Sequence, residues 1–111
     1  MQALFIVINH EKHFDSLLDE FRAQNIHGGT ILESEGLATT IAEHSHDMNY
    51  GYFRSLLNSG RPYNKTIFLI GNDQTIQKAK ECVRKVTGGI SEENKGIMFT
   101  IAVNDFEGLT K

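Results

Sequence analysis

The chain has 111 residues, of which 40% are hydrophobic and 23% are charged, and its formal net charge at pH 7 is −3. This length and composition are typical of one folded unit with its own core, so we predict a single domain over residues 1–111. The acidic balance, with no basic stripe along the sequence, argues against a protein that binds nucleic acid through its phosphates.

The cysteine content and the apolar runs indicate the cellular setting. Cys82 is the one cysteine, so it has no partner for an internal disulfide, and we expect a packed thiol rather than a reactive one. The longest apolar run, Ala3–Ile8, is far too short to cross a bilayer, and the sequence shows no signal peptide. We therefore expect a cytoplasmic protein that is not inserted into a membrane.

The first half of the sequence predicts a strand, a helix and a second strand. Ala3–Ile8, ALFIVI, is a continuous apolar run rich in β-branched residues, which is typical of a strand buried on both faces. An apolar stripe at helical spacing follows; its members are Phe14, Leu17, Leu18 and Phe21. Gly28 and Gly29 end this helix, and Thr30–Gly36 alternates weakly as a second strand.

The second half repeats that order. Lys65–Gly71, KTIFLIG, predicts a third strand, and Asn72 or Asp73 is a good N-cap for the helix that follows it. The apolar face of this helix is formed by Ile76, Ala79, Val83 and Val86. Gly88 ends the helix, and Ile97–Val103 predicts a fourth buried strand.

This element order predicts an α+β fold of the ferredoxin-like βαββαβ type, with an antiparallel sheet and two helices on one face. The other face of the sheet has no helices of its own in this arrangement. Because the first strand shows little polar alternation, we expect that face to be covered, most simply by self-association.

A long connection joins the two halves, from about Leu37 to Asn64. It contains EHSHDMNYGYF, which fits no clean helix or strand period. Farther along, apolar residues return at helical spacing and predict a short helix or a docking segment; these are Tyr50, Phe53, Leu56 and Leu57. Ordered connections of this length are uncommon in a compact domain and are usually functional or mobile.

Three segments carry a resemblance to a known family. GGTILESEGLATT joins a strand to the start of the long connection, KTIFLIGNDQ joins a strand to a capped helix, and TGGISEENKGIMFTIAV joins a helix end to the last strand. They resemble parts of the nitrogen-regulatory P-II proteins and their P-II-like relatives. The matching parts are the second strand with the start of the T-loop, the third strand with the next helix cap, and the B-loop with the last strand. The resemblance covers nearly the whole chain.

What the resemblance implies is a homotrimer whose sheets pack inward and whose intersubunit clefts bind ATP or ADP, and in some members 2-oxoglutarate with magnesium. By the same resemblance, the residues lining the cleft are Thr30, Gly36, Leu37, Ala38 and Lys65 on one side, with Gly88, Lys95 and Gly96 on the other. The T-loop, here part of residues 37–64, would signal to a membrane transporter or a regulatory protein. The resemblance therefore implies signal transduction in nitrogen regulation rather than catalysis.

The sequence departs from the family pattern on both sides of this cleft. Ala38 replaces the second glycine of the T-loop turn, and Thr39 and Thr40 replace an arginine and a glutamine. The B-loop segment TGGISEENKG is acidic, and Glu92 and Glu93 would repel a polyphosphate. The segment DFEGLTK, after the last strand, lacks the family's arginine pair. We therefore expect the divergent P-II-like proteins, whose ligands vary, to be the better comparison.

Two histidines in the connection leave a metal-binding function open. His44 and His46 would share a face of an extended backbone, and Asp47 could add a third ligand. A trimer of this kind would be similar in architecture to the CutA proteins. Exposed loop histidines without a metal are the simpler interpretation. No nucleophile–base pair or phosphate-binding loop is visible, although a low-activity nucleotide hydrolase is a third alternative.

Overall fold

The computed structural model describes residues 1–44, 63–90 and 96–109. Within these ranges the elements follow in the order β1 (Gln2–Ile8), α1 (Glu11–Ala23), β2 (Thr30–Glu33), α2 (Leu37–His44), β3 (Lys65–Gly71), α3 (Asp73–Thr87) and β4 (Gly96–Ala102). The four strands, α1 and α3 confirm the elements that the apolar patterns predict. The predicted helical stripe at residues 50–57 lies outside the described residues.

The strands form one antiparallel sheet in the order β2-β3-β1-β4. Strand β1 is central and hydrogen-bonds to β3 on one edge and to β4 on the other. Phe5, in its middle, lies opposite Phe68 of β3 and Phe99 of β4. This α+β arrangement is compatible with a ferredoxin-like fold, with the additional helix α2 between β2 and β3.

Helix α3 is bounded by the signals that its sequence contains. The Asn72 side chain accepts a hydrogen bond from the backbone N–H of Thr75 at 2.8 Å, which satisfies one of the unpaired donors of the first turn. Gly88 ends the helix in the left-handed conformation, with φ of 75°, and its N–H donates to the carbonyl of Arg84. The cap at Asn72 therefore resolves the choice between Asn72 and Asp73.

The core lies between the two long helices and one face of the sheet. The buried side chains that form it are Leu4, Ile6, Ile8, Ile67 and Leu69 from the strands, with Phe14, Leu17, Phe21, Ile26, Ile76, Ala79, Cys82 and Val83 from α1, α3 and the turn after α1. Burial of one large aliphatic side chain contributes about 1.5–3 kcal/mol, so this cluster supplies the main driving force for folding. Cys82 packs here as expected, and its burial raises the pKa of the thiol.

Three details differ from the sequence predictions. Strand β4 was predicted to be buried, but it lies at an edge of the sheet and most of its side chains are exposed. Leu18, assigned to the buried stripe of α1, is 40% exposed, because the helix presents only the face containing Leu17 and Phe21 to the core. The connection is helical at its start, over Leu37–His44, where an irregular segment was expected. The Gly36 carbonyl accepts hydrogen bonds from the N–H and the side chain of Thr40, which closes the first turn of α2.

In the part of the chain that the structure describes, no helix has the length and apolar character needed to cross a membrane.

Two neighbouring leucines of α1 test the placement of the core. Leu17 is fully buried and Leu18 is 40% exposed. We expect Leu17→Ala to lower the free energy of unfolding by about 2–5 kcal/mol, since it leaves a cavity in the core. The matched variant Leu18→Ala should cost less than about 1 kcal/mol. Urea denaturation measures both values, and equal losses would contradict this orientation of α1.

Candidate functional site

One end of the sheet gathers most of the residues that the resemblance implies in ligand binding. Glu33, Lys65, Ile8 and Gly96 lie in one register row across all four strands. We call this the loop end, since β1 and β2 end here and β3 and β4 begin here. Helix α3 returns to the same end, because it follows β3 directly and precedes β4.

A polar network ties the strand ends together at the loop end. The hydroxyl of Ser34 donates a short hydrogen bond to the side-chain carbonyl of Asn64 and lies 2.9 Å from the hydroxyl of Thr66. The Asn64 amide nitrogen donates in turn to the side-chain oxygen of Asn9, at 3.2 Å. Sequence reasoning missed this network. The sequence signal for this network is that Asn9 and Asn64 each adjoin a strand end. There a side chain can hydrogen-bond to neighbouring polar groups that are otherwise unpaired.

Lys65 is the main cation that the sequence analysis predicts at this site, and its ammonium already contacts other side chains. It forms an ion pair with Glu33 and lies 5.6 Å from the ring centre of Phe14 and 5.7 Å from that of Tyr63. Only 21% of the Lys65 side chain is exposed, compared with 81% for Glu33. An anion that binds Lys65 must therefore compete with the Glu33 carboxylate.

These contacts also shift the proton affinity of two groups. The hydrogen bond to Glu33 raises the pKa of Lys65, so its ammonium stays protonated at neutral pH. Burial raises the pKa of the Tyr63 phenol, and the nearby Lys65 charge partly opposes that rise. The site at neutral pH thus contains a cation, a carboxylate and a neutral phenol.

Three of the predicted ligand residues form the start of α2. Gly36 precedes the helix, and Leu37 and Ala38 lie in its first turn. Leu37 and Ile41 are strongly exposed, whereas Thr39 is the buried residue of this helix. The start of the connection therefore presents apolar side chains to solvent beside the loop end.

Two of the glycines predicted to bind ligand, Gly88 and Gly96, have roles in the fold itself. Gly96 has φ of 121°, and a Cβ built on it would lie 1.9 Å from the carbonyl oxygen of Val7 on the neighbouring strand. Only glycine allows this close approach of β4 to β1. Gly88 is the C-cap of α3. Lys95, the other cation implied at this side of the cleft, lies outside the described residues.

Thr30 is separated from the rest of the predicted set within one subunit. It pairs with Phe68, at the opposite end of β2 from Glu33. Lys65 precedes Phe68 by three residues, so it lies about 10 Å farther along the strand and its side chain points to the other face. A site containing both Thr30 and Lys65 would require residues from more than one face of the sheet.

The geometry at His44 differs from the one that the metal-binding hypothesis required. His44 ends α2, and its Nδ1 lies 2.9 Å from the Thr40 carbonyl, to which it donates. The extended backbone that the hypothesis required is therefore absent at His44. His46 and Asp47 lie outside the described residues. Within residues 1–44, 63–90 and 96–109, no group of three histidine, cysteine or acidic side chains could hold a metal ion.

The sheet face opposite α1 and α3 is apolar across its width. Phe5 stacks between Phe68 and Phe99, with ring centres 5.7 Å and 5.0 Å away and interplanar angles of 27° and 6°. Around this stack, about half of the surface of several aliphatic side chains is exposed; these are Leu32, Ile97 and Ile101. The contiguous apolar patch, which we call the open face, is typical of an interaction surface.

A search for protein-family models that match this chain found none, and a search of curated proteins also found no match.

Gly96 offers a test of whether this glycine is needed for the close approach of β4 to β1 rather than for ligand contact. Gly89 is the control. Both have positive φ, but a Cβ on Gly89 would meet nothing within 4 Å. We expect Gly96→Ala to lower the free energy of unfolding by about 3 kcal/mol or more, from strain and the clash with β1. Gly89→Ala should cost about 1–2 kcal/mol, from strain alone. Similar losses in chemical denaturation would show that the close approach is unimportant.

Proposed function

We propose that this protein is a P-II-like regulator: a homotrimer of ferredoxin-like subunits that binds a small effector and signals through the connection between β2 and β3. The observation that carries the proposal is the open face. An aromatic stack flanked by half-exposed aliphatic side chains is costly to leave in water and is suited to packing against copies of itself.

The effector site that we propose lies at the loop end and is completed by a neighbouring subunit. Lys65 supplies a cation there, and the nearby start of α2 links the site to residues 37–64. An anionic effector, such as an adenine nucleotide or 2-oxoglutarate, would draw Lys65 away from Glu33. Because Glu33, Lys65 and Gly96 lie in one register row, such a change would affect β2 and β4 together.

The output in this proposal is a population shift. The effector binds best to one arrangement of residues 37–64, and that arrangement becomes the dominant one. Leu37 and Ile41, exposed on α2, then take part in contact with a protein partner, a transporter or a regulatory protein. The alternative of a CutA-like metal trimer, with His44 and His46 as ligands, would have to do without the extended backbone at His44. A metal added alone to the effector screen below tests it.

Self-association through the open face is testable at Phe99. We expect the wild-type chain to sediment at three times the monomer mass. Phe99→Lys should sediment as the monomer, because each subunit would bury a charge in the interface. Thr100→Lys is the control, since Thr100 is exposed on the same strand but points to the other face. A monomeric wild-type chain, or a trimeric Phe99→Lys variant, would refute an interface built on the open face.

Effector binding is testable by thermal shift with ATP, ADP, 2-oxoglutarate and divalent metals. A ligand at 100 times its dissociation constant should add about 2.7 kcal/mol of stability to the wild-type chain. Lys65→Met, which keeps the apolar stem, should abolish most of the shift for an anionic effector. Lys78→Met, at an exposed position of α3, should retain it. A wild-type chain that no anion stabilises, or an equal shift in both variants, would count against an effector site at Lys65.

A further inference from the structure

An apolar groove lies away from the loop end, between α1 and β2, which is an edge strand of the described sheet. Its floor is formed by the buried side chains of Phe21, Ile26 and Ile67, and its walls by Leu18 and Ile31. Its volume of about 250 Å³ is below the roughly 300–1,000 Å³ typical of pockets for drug-sized ligands. The groove is therefore of a size to accept one or two apolar side chains rather than a cofactor.

The rim of the groove adds a charge preference. Arg22 and His27 line it together with Asn25. Among the described residues, the Arg22 guanidinium has one ion pair, with Asp19 at 3.6 Å, and both side chains are largely exposed. Exposed pairs of this kind contribute little to stability, so Arg22 can exchange its partner at small cost. The groove is thus suited to an apolar segment that carries acidic residues.

Such a segment follows β4 in this chain. Residues 104–109, NDFEGL, contain the acidic Asp105 and Glu107 next to the half-exposed apolar side chains of Phe106 and Leu109. We call it the post-β4 segment. None of its residues lines the groove of its own chain.

The sheet places the groove and the post-β4 segment at opposite edges. Strand β2 is one edge and β4 is the other, three strand spacings apart, or about 14 Å. Both lie toward the same end, since the groove lies at the start of β2 and the segment follows the end of β4. Two different surfaces at opposite edges can join one copy to the next in a head-to-tail contact, which closes into a ring when the rotation allows.

We propose that the post-β4 segment of one copy docks in the groove between α1 and β2 of a second copy. Phe106 and Leu109 enter the apolar groove, and Asp105 and Glu107 lie near Arg22 and His27 on its rim. This contact rests on the proposed function only because it requires self-association. It goes beyond the proposed function because a head-to-tail contact gives the ring of subunits a direction. The docking contact joins the sheet edges of two copies, whereas the open face packs the sheet of one copy against the sheet of another.

Disulfide trapping between two variants tests this docking. We would mix isotope-labelled Leu109→Cys with unlabelled Ile31→Cys under mild oxidation and identify the linked peptides by mass spectrometry. The native Cys82 is buried, so it contributes little background. A docked pair has a high effective concentration, and we expect cross-links between positions 109 and 31 to exceed those of the control mixture by about tenfold or more. The control replaces Ile31→Cys with Ile41→Cys, which is exposed on α2.

Each remaining outcome overturns the proposal. Equal trapping at positions 31 and 41 would indicate random collision, and no trapping at position 31 would indicate that the groove is empty or holds a different partner. Trapping within one chain in a variant carrying both Leu109→Cys and Ile31→Cys, without trapping between chains, would make the segment its own chain's ligand. Sedimentation of the untreated wild-type chain separates these failures from a failure of the proposed trimer. A trimer without trapping removes this contact alone, whereas a monomer removes self-association itself.

Discussion

The central position of β1 is the constraint on which the rest of this molecule depends. Both of its edges are hydrogen-bonded, to β3 and to β4, and both of its faces are apolar. Leu4 and Ile6 are fully buried under the helices, while Phe5 lies between them in sequence and faces the other way. One strand therefore anchors the core on one side of the sheet and the aromatic stack on the other.

This placement explains why the two faces of the sheet differ so much. Helices α1 and α3 cover one face and complete a core of ordinary character. The other face retains apolar side chains on all four strands, and in the described residues no helix packs on the aromatic stack. A monomer in water would expose this surface at a free-energy cost proportional to its apolar area, and the self-association that we propose would remove that cost.

The same strand also organises the loop end. Ile8 is the residue through which Lys65 and Gly96 share a register row, although they lie far apart in sequence. The Lys65 ammonium is held by Glu33 and by two aromatic rings, so the cation is oriented before any ligand arrives. For the effector that we propose, this arrangement would reduce the ordering cost of binding but would impose competition with Glu33. Such an effector would have to offer more to Lys65 than one exposed carboxylate does.

The apolar periods of the sequence determined the four strands, the two long helices and most of the core. Residues such as Leu17, Ile76 and Val83 are buried wherever their stripe meets the sheet, because period and hydrophobicity are local properties. The Asn72 cap and the Gly88 stop were readable for the same reason. Helix α2 was not, since LATTIAEH contains two β-branched threonines and follows a glycine that resembled a turn.

The tertiary structure alone decided which distant residues meet. The pairing of Lys65 with Glu33, the network around Asn64 and the separation of Thr30 from Lys65 all follow from strand register. The close approach at Gly96 and the exposure of Leu18 likewise depend on how strands and helices pack. A sequence specifies which residues prefer to be buried, but contacts between strands are set by the register that buries the most apolar surface with every backbone group paired.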